Sequence, residues 1–156
     1  MQLEYFQLVD RILDLNTQAK TITVEAQVPK ANTIFEGHFP GYPLMPGVLL
    51  IESMAQSSGW LLLGLMKFER MPFLAQVKEA KMRGFVSPGE LLSIDANVVH
   101  EGSGFAVTDA RVKVGGKLRC NATMMFSHIP FPNPDLRGHM DAMATRIGFP
   151  RQVLLP

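Results

Sequence analysis

The chain has 156 residues, 47% of them apolar and 19% charged, which suits one core-forming domain and excludes a disordered or collagen-like chain. Fifteen Lys and Arg against fourteen Asp and Glu leave a formal charge of +1, so no global basic field points to nucleic acid. A single cysteine, Cys120, excludes an internal disulfide framework and a multi-cysteine zinc site, and leads to the expectation of a reducing, cytoplasmic setting.

The N-terminal run MQLEYFQLVD carries Glu4 and Asp10 and no basic residue before Arg11, unlike a secretory signal or a transit peptide. Residues 8–16 and 21–29 flank Thr17–Lys20. In the second run Ile22, Val24, Ala26 and Val28 share one face, and Thr21, Thr23, Glu25 and Gln27 the other, which predicts a half-buried strand. Phe35–Gly47 follows, with prolines at 40, 43 and 46 and glycines at 37, 41 and 47. That density of breakers predicts a shaped loop without helix or regular strand.

Pro46 fits a first helical position, and the apolar run after it predicts a central, buried helix reaching about Lys67. From Pro46 to Met66 only Glu52 is charged, yet Ser53, Gln56, Ser57, Ser58 and three glycines interrupt the run. An acid inside a membrane span costs roughly 3 kcal/mol. A buried helix in a soluble fold therefore explains the segment better than a span. Four strands are predicted at about 73–83, 91–101, 105–114 and 117–128, joined by SPGE, EGSG and GG turns. Such short connections require antiparallel pairing. The order of elements defines an α+β fold, one long helix wrapped by a curled antiparallel sheet over residues 1–128. Residues 129–156 form a C-terminal extension holding five of the eleven prolines, with a short helix predicted around 138–147.

Metalloprotease, nucleophile-elbow, Walker and dinucleotide-binding signatures are absent. His100, His128 and His139 lack ligand spacing and read as structural or solvated. His38 differs, because it sits in the rigid loop FEGHFPGYPLMPG, and a positioned imidazole is a common general base near neutral pH. Glu52 falls about two turns into the apolar helix. A carboxyl shielded from water tends to stay protonated and can then donate a proton; the competing reading pairs it with a lysine or a backbone group. At the helix start, Met45 is a poor cap, and Gly47, Val48 and Leu49 carry N–H donors without intrahelical partners. These donors could hold negative charge developing on a carbonyl oxygen, with Gly47 leaving room for its approach. A base, an acid and an oxyanion donor suit loss of water from a 3-hydroxyacyl thioester.

The stretch FEGHFPGYPLMPGVLLIESMAQSSG (35–59) resembles the signature of the FabZ-type 3-hydroxyacyl-acyl carrier protein dehydratases, matching at His38, Phe39, Pro40, Pro43, Pro46, Gly47, Val48, Leu49, Glu52, Met54, Ala55 and Gln56. The likeness extends to LVDRILDL (8–15), VKEAKMRGFVSPGE (77–90) and GGKLRCNATMMF (115–126). It implies a hot-dog fold, a homodimer or a hexamer of three dimers, and a site shared between subunits. By that resemblance His38 is the base at C2 and Glu52 of the partner chain the acid at the hydroxyl. The Gly47 N–H would bind the thioester carbonyl, with Val48, Phe39 and Pro40 beside the substrate. No metal or redox cofactor is implied. Glu52, where the related FabA dehydratase-isomerases carry Asp, favours plain dehydration.

The chain departs from the family pattern at Lys78, where an acid is usual, and in the run Arg83–Glu90. Lys78, Lys81 and Arg83 form a local basic cluster suited to an acidic carrier protein. On an uninterrupted strand Lys81 and Arg83 share a face and Lys78 lies on the other. A hot-dog thioesterase would reuse the helix carboxylate but not the full His38 loop. A non-catalytic acyl-thioester sensor would tend to lack His38 or Glu52, and both are present.

Overall fold

The computed structural model describes all 156 residues. Six strands, β1 (Arg11–Asn16), β2 (Thr21–Gln27), β3 (Met71–Met82), β4 (Leu91–Gly102), β5 (Phe105–Val114) and β6 (Lys117–Ile129), form one sheet in the order β1-β2-β4-β5-β6-β3. Every neighbouring pair is antiparallel, and the sheet stays open, with β1 and β3 at its edges. The long helix α2 (Gly47–Leu65) follows a short α1 (Thr33–Gly37) and packs against the inner face of the sheet. This is the hot-dog arrangement.

Alternation along the strands sets which face meets the helix. Ile22, Val24 and Ala26 of β2, Leu92, Ile94 and Ala96 of β4, and Cys120, Ala122, Met124 and Phe126 of β6 are all buried. Ala96 stands opposite Ala110, which stands opposite Ala122. This row of three small side chains crosses the middle of the sheet and lets the backbone curl close to α2. The polar residues of α2 are absorbed locally. Ser53 Oγ donates to the Leu50 carbonyl at 2.7 Å, Ser57 Oγ to the Ser53 carbonyl at 2.7 Å, and Ser58 Oγ meets Thr108 Oγ1 of β5 at 2.9 Å. By length and composition α2 could cross a membrane, but eleven of its residues are buried as the core helix of this fold. Burial pushes the Cys120 thiol up to about 11, leaving it a packing residue with little thiolate.

Three local expectations are corrected. Pro46 is the N-cap of α2 rather than its first helical residue; its extended ψ of 135° makes its carbonyl the first acceptor of the helix. The first residues of the Phe35–Gly47 stretch close the short helix α1, because Asn32 caps it by accepting from the Ile34 N–H at 3.0 Å. The C-terminal helix α3 spans Pro134–Arg146 and starts four residues earlier than expected, with Asn133 as its cap and Pro134 opening its first turn.

The extension joins the main core. Ala144, Ile147 and Phe149 are buried with it, and the Ile12 N–H donates to the Ile147 carbonyl at 2.8 Å. The Phe149 ring lies 6.2 Å from Trp60 and 5.3 Å from Phe68, centroid to centroid. Its edge occupies the space above Gly64, where an added Cβ would sit 3.3 Å from Phe149 Cζ and from Leu15 Cδ1. Phe149→Ala is expected to cost about 3–5 kcal/mol of unfolding free energy, read by urea denaturation of the full chain. A loss under about 1 kcal/mol would mean that the tail is not part of the cooperative core.

Candidate active site

The His38 loop is built by its prolines and glycines. Phe39 and Tyr42 exchange backbone hydrogen bonds of 2.9 and 2.8 Å around Pro40 and Gly41, and Gly41 has φ +76°. That is a type II turn, with proline at its second position and glycine where positive φ is required. The Leu44 N–H returns to the His38 carbonyl at 2.8 Å, and the Met45 N–H reaches the Val86 carbonyl at 2.8 Å. Leu44 and Met45 are buried, so the loop is pinned from below, while the His38 ring stacks on Phe39 at 3.9 Å.

His38 shares a cavity of about 160 Å³ with Gly47, Leu50, Met82 and Phe85. The start of α2 therefore opens beside the imidazole. No side chain caps the helix, and neither the Gly47 nor the Val48 N–H donates to another group of the chain. The Leu49 N–H is not free, since it donates to the Pro46 carbonyl at 3.0 Å. Two donors, not three, face outward at this end. Gly47 also makes room for Met82, whose Sδ would lie 3.3 Å from an added Cβ.

Glu52 is elsewhere. Five residues past Gly47 it has turned about 140° around the helix, and it lines a second cavity of about 380 Å³ with Gln56, Trp60, Phe126 and Met140. It is half-buried rather than enclosed, and it accepts a hydrogen bond from Gln56 Nε2 at 3.1 Å. Gln56 in turn donates to the Phe6 carbonyl at 2.8 Å and accepts from the Leu8 N–H at 3.0 Å. Its amide is thus fixed by the N-terminal segment and holds the carboxylate in place. Gln56 belongs to the matched motif, and its spacing four residues after Glu52 was the signal of this positioning role.

Within one chain the structure brings His38, Phe39 and Gly47 together and keeps Glu52 apart. Val48, 72% exposed, and Pro40 face outward. Of the other histidines, His100 is exposed; burial holds His128 below the usual imidazole range and its Nε2 has no partner. His139, read from the sequence as structural or solvated, lines the Glu52 cavity from α3.

The basic cluster lies on one face, not two. Lys78 stands opposite Thr123 and Lys81 opposite Asn121, so β3 spends one residue more than β6 between these pairs. This bulge, with Glu79 at φ +51°, restores Lys78 to the side of Lys81. The Arg83 N–H continues the ladder to the Arg119 carbonyl at 2.7 Å, and Arg83 Nε donates to Asn121 Oδ1 at 2.6 Å. All three cations occupy the outer face. On the inner face of the same edge strand, Leu74, Val77 and Met82 are 41, 38 and 47% exposed.

One sheet wrapped on one helix, with a histidine loop at the helix start and a carboxylate further along, defines the hot-dog class of acyl-thioester proteins. The chain matches the FabA-like domain over residues 1–123 and belongs to that family. It is 38% identical over 119 residues to the 3-hydroxyacyl-[acyl-carrier-protein] dehydratase FabZ of Levilactobacillus brevis, spanning 76% of this chain and 80% of that protein. The FabZ of Symbiobacterium thermophilum is 32% identical over 131 residues, 83% of this chain and 92% of its own. Among solved structures, a conserved protein from Pseudomonas aeruginosa superposes with a TM-score of 0.64 at 22% identity, covering 81% of this chain and 91% of its own. A hypothetical thioesterase with coenzyme A from Streptococcus pneumoniae superposes with a TM-score of 0.63 at 18% identity, covering 79% and 88%. At these identities the superpositions speak for the fold alone.

Proposed function

We propose that the protein dehydrates (3R)-3-hydroxyacyl chains carried on acyl carrier protein to trans-2-enoyl thioesters, in fatty-acid or specialised acyl-chain synthesis in the cytoplasm. The observation that carries this reading is His38 sharing one cavity with Gly47, whose N–H at the start of α2 has no partner within the chain. The His38 imidazole removes a proton from C2. The electron pair moves toward the thioester carbonyl, whose oxygen gains negative charge against the Gly47 N–H at the positive end of α2. A carboxyl at C3 gives its proton to the hydroxyl, the C3–O bond breaks, water leaves, and the C2–C3 double bond forms.

That carboxyl is Glu52 of a second copy. Glu52 of the same chain lines a different cavity, and the exposed inner face of β3 with Leu74, Val77 and Met82 supports a homo-oligomer, a dimer or a hexamer of three dimers, that covers this edge. The direct test uses one 3-hydroxyacyl thioester and two readouts. Growth of enoyl-thioester absorbance without free thiol is the expected result. Thiol release without enoyl product would mean a thioesterase, and binding without turnover an acyl-thioester sensor.

The acidic carrier is steered by Lys78, Lys81 and Arg83 on the outer face of β3. Lys81→Glu with Arg83→Glu is expected to raise KM for the carrier-bound substrate by roughly tenfold, more at low salt. A short pantetheine thioester lacking the carrier should turn over almost as before. Equal losses on both substrates would assign the cluster to the fold or the site.

A further inference from the structure

The Glu52 cavity has a wall that the family match does not include. That match ends at residue 123, whereas Leu136, His139, Met140 and Met143 of α3 all line the cavity. Their spacing of three, four and seven residues puts them on one helical face. Opposite them, Glu52, Gln56, Trp60 and Leu63 lie along one face of α2. At 1.5 Å per residue the trough from Glu52 to Leu63 is about 16 Å long.

The anchoring of α3 is through its C-terminal end and the residues just after it. Phe149, just past the helix, packs on Trp60 and above Gly64, and Ile147 is hydrogen-bonded to Ile12. Arg146 bonds the Gln7 side chain, and Arg151 Nη1 holds Asp141 Oδ1 at 2.5 Å. Asn133 caps the start of the helix by accepting from the Leu136 N–H at 2.8 Å. With His139 the one polar side chain of that face, the wall of Leu136, Met140 and Met143 along a trough that begins at Glu52 is suited to an alkyl chain. From this we infer that α3 is the end wall of the acyl site, and that Leu136 and Met140 set the longest acyl chain the enzyme accepts. The inference rests on the dehydratase reading for the position of the thioester at Glu52, and concerns a segment outside the family's shared domain.

The test is a series of 3-hydroxyacyl pantetheine thioesters of increasing chain length, given to the full-length chain and to Leu136→Ala, Met140→Ala and Met140→Trp. Each methylene accommodated is worth about fourfold in kcat/KM. The alanine variants should move the longest accepted chain upward, gaining about ten- to fifteenfold for two added methylenes, and Met140→Trp should move it downward. Turnover of the shortest substrate should change little in all three. An unchanged length profile in variants that still process the shortest substrate would overturn the proposal. Trp60, the only tryptophan, lines the same cavity and gives a second readout, its fluorescence on binding. If no thioester is turned over by the parent chain, but its Trp60-detected affinities depend on chain length and shift with residue 140, the dehydratase reading fails and the wall stands. If Trp60 reports binding that is indifferent to residues 136 and 140, the wall fails.

Discussion

His38→Ala and Glu52→Gln are each expected to lower kcat for dehydration by at least about a hundredfold, the low end for a general acid or base. The two losses have different causes. Without the imidazole nothing in the smaller cavity can take the C2 proton, since its other lining residues are apolar or glycine. With glutamine at 52 the Gln56 amide can still find a carbonyl oxygen to donate to, so the geometry survives while the transferable proton does not. Both variants should unfold at close to the parent midpoint, because His38 and Glu52 are only half-buried. Near-normal turnover in either variant would remove that residue from the mechanism.

Mixing the two inactive variants is expected to restore activity. If each site takes His38 from one subunit and Glu52 from the other, a mixed dimer has one site with both groups intact and one with neither. Equal amounts exchanging freely give half mixed dimers, so about a quarter of parental turnover should return. A site completed within one chain would recover nothing, because every site would carry one defect. The separation of His38 and Glu52 into different cavities is the reason to expect recovery. Failure after subunit exchange is verified by mass would require the loop or α2 to move within one chain.

Much of this site is legible in the sequence. Prolines and glycines at 40, 41, 43, 46 and 47 leave the chain few conformations, so a shaped loop with His38 on it follows from residue type alone. The alternating strands and the apolar helix were legible for the same reason, since each repeats a period of the backbone. What escaped were features set by fit between distant parts. The bulge at Glu79 does not disturb the chemical pattern of β3, so alternation assigned Lys78 to the wrong face. The uncapped donors at α2 were readable, but the loss of Leu49 from their number depended on Pro46 adopting ψ 135°. The pair Asn133–Pro134 was a readable start signal for α3. Its proximity to Glu52 was not readable, because it depends on where Phe149 docks some ninety residues away in sequence.

The Phe149 socket also bears on how such a tail is gained or transferred. The ring needs the bare backbone of Gly64 beneath it and the side chains of Trp60 and Phe68 around it. A related domain with alanine at the position of Gly64 would place a methyl group 3.3 Å from the incoming ring and from Leu15. There the ring or Leu15 must give way by a few tenths of an ångström, which loosens the seat of residues 129–156 at this point. The tail and its glycine are therefore a matched pair, and chimeras between this enzyme and its relatives should hold the tail best when both are exchanged.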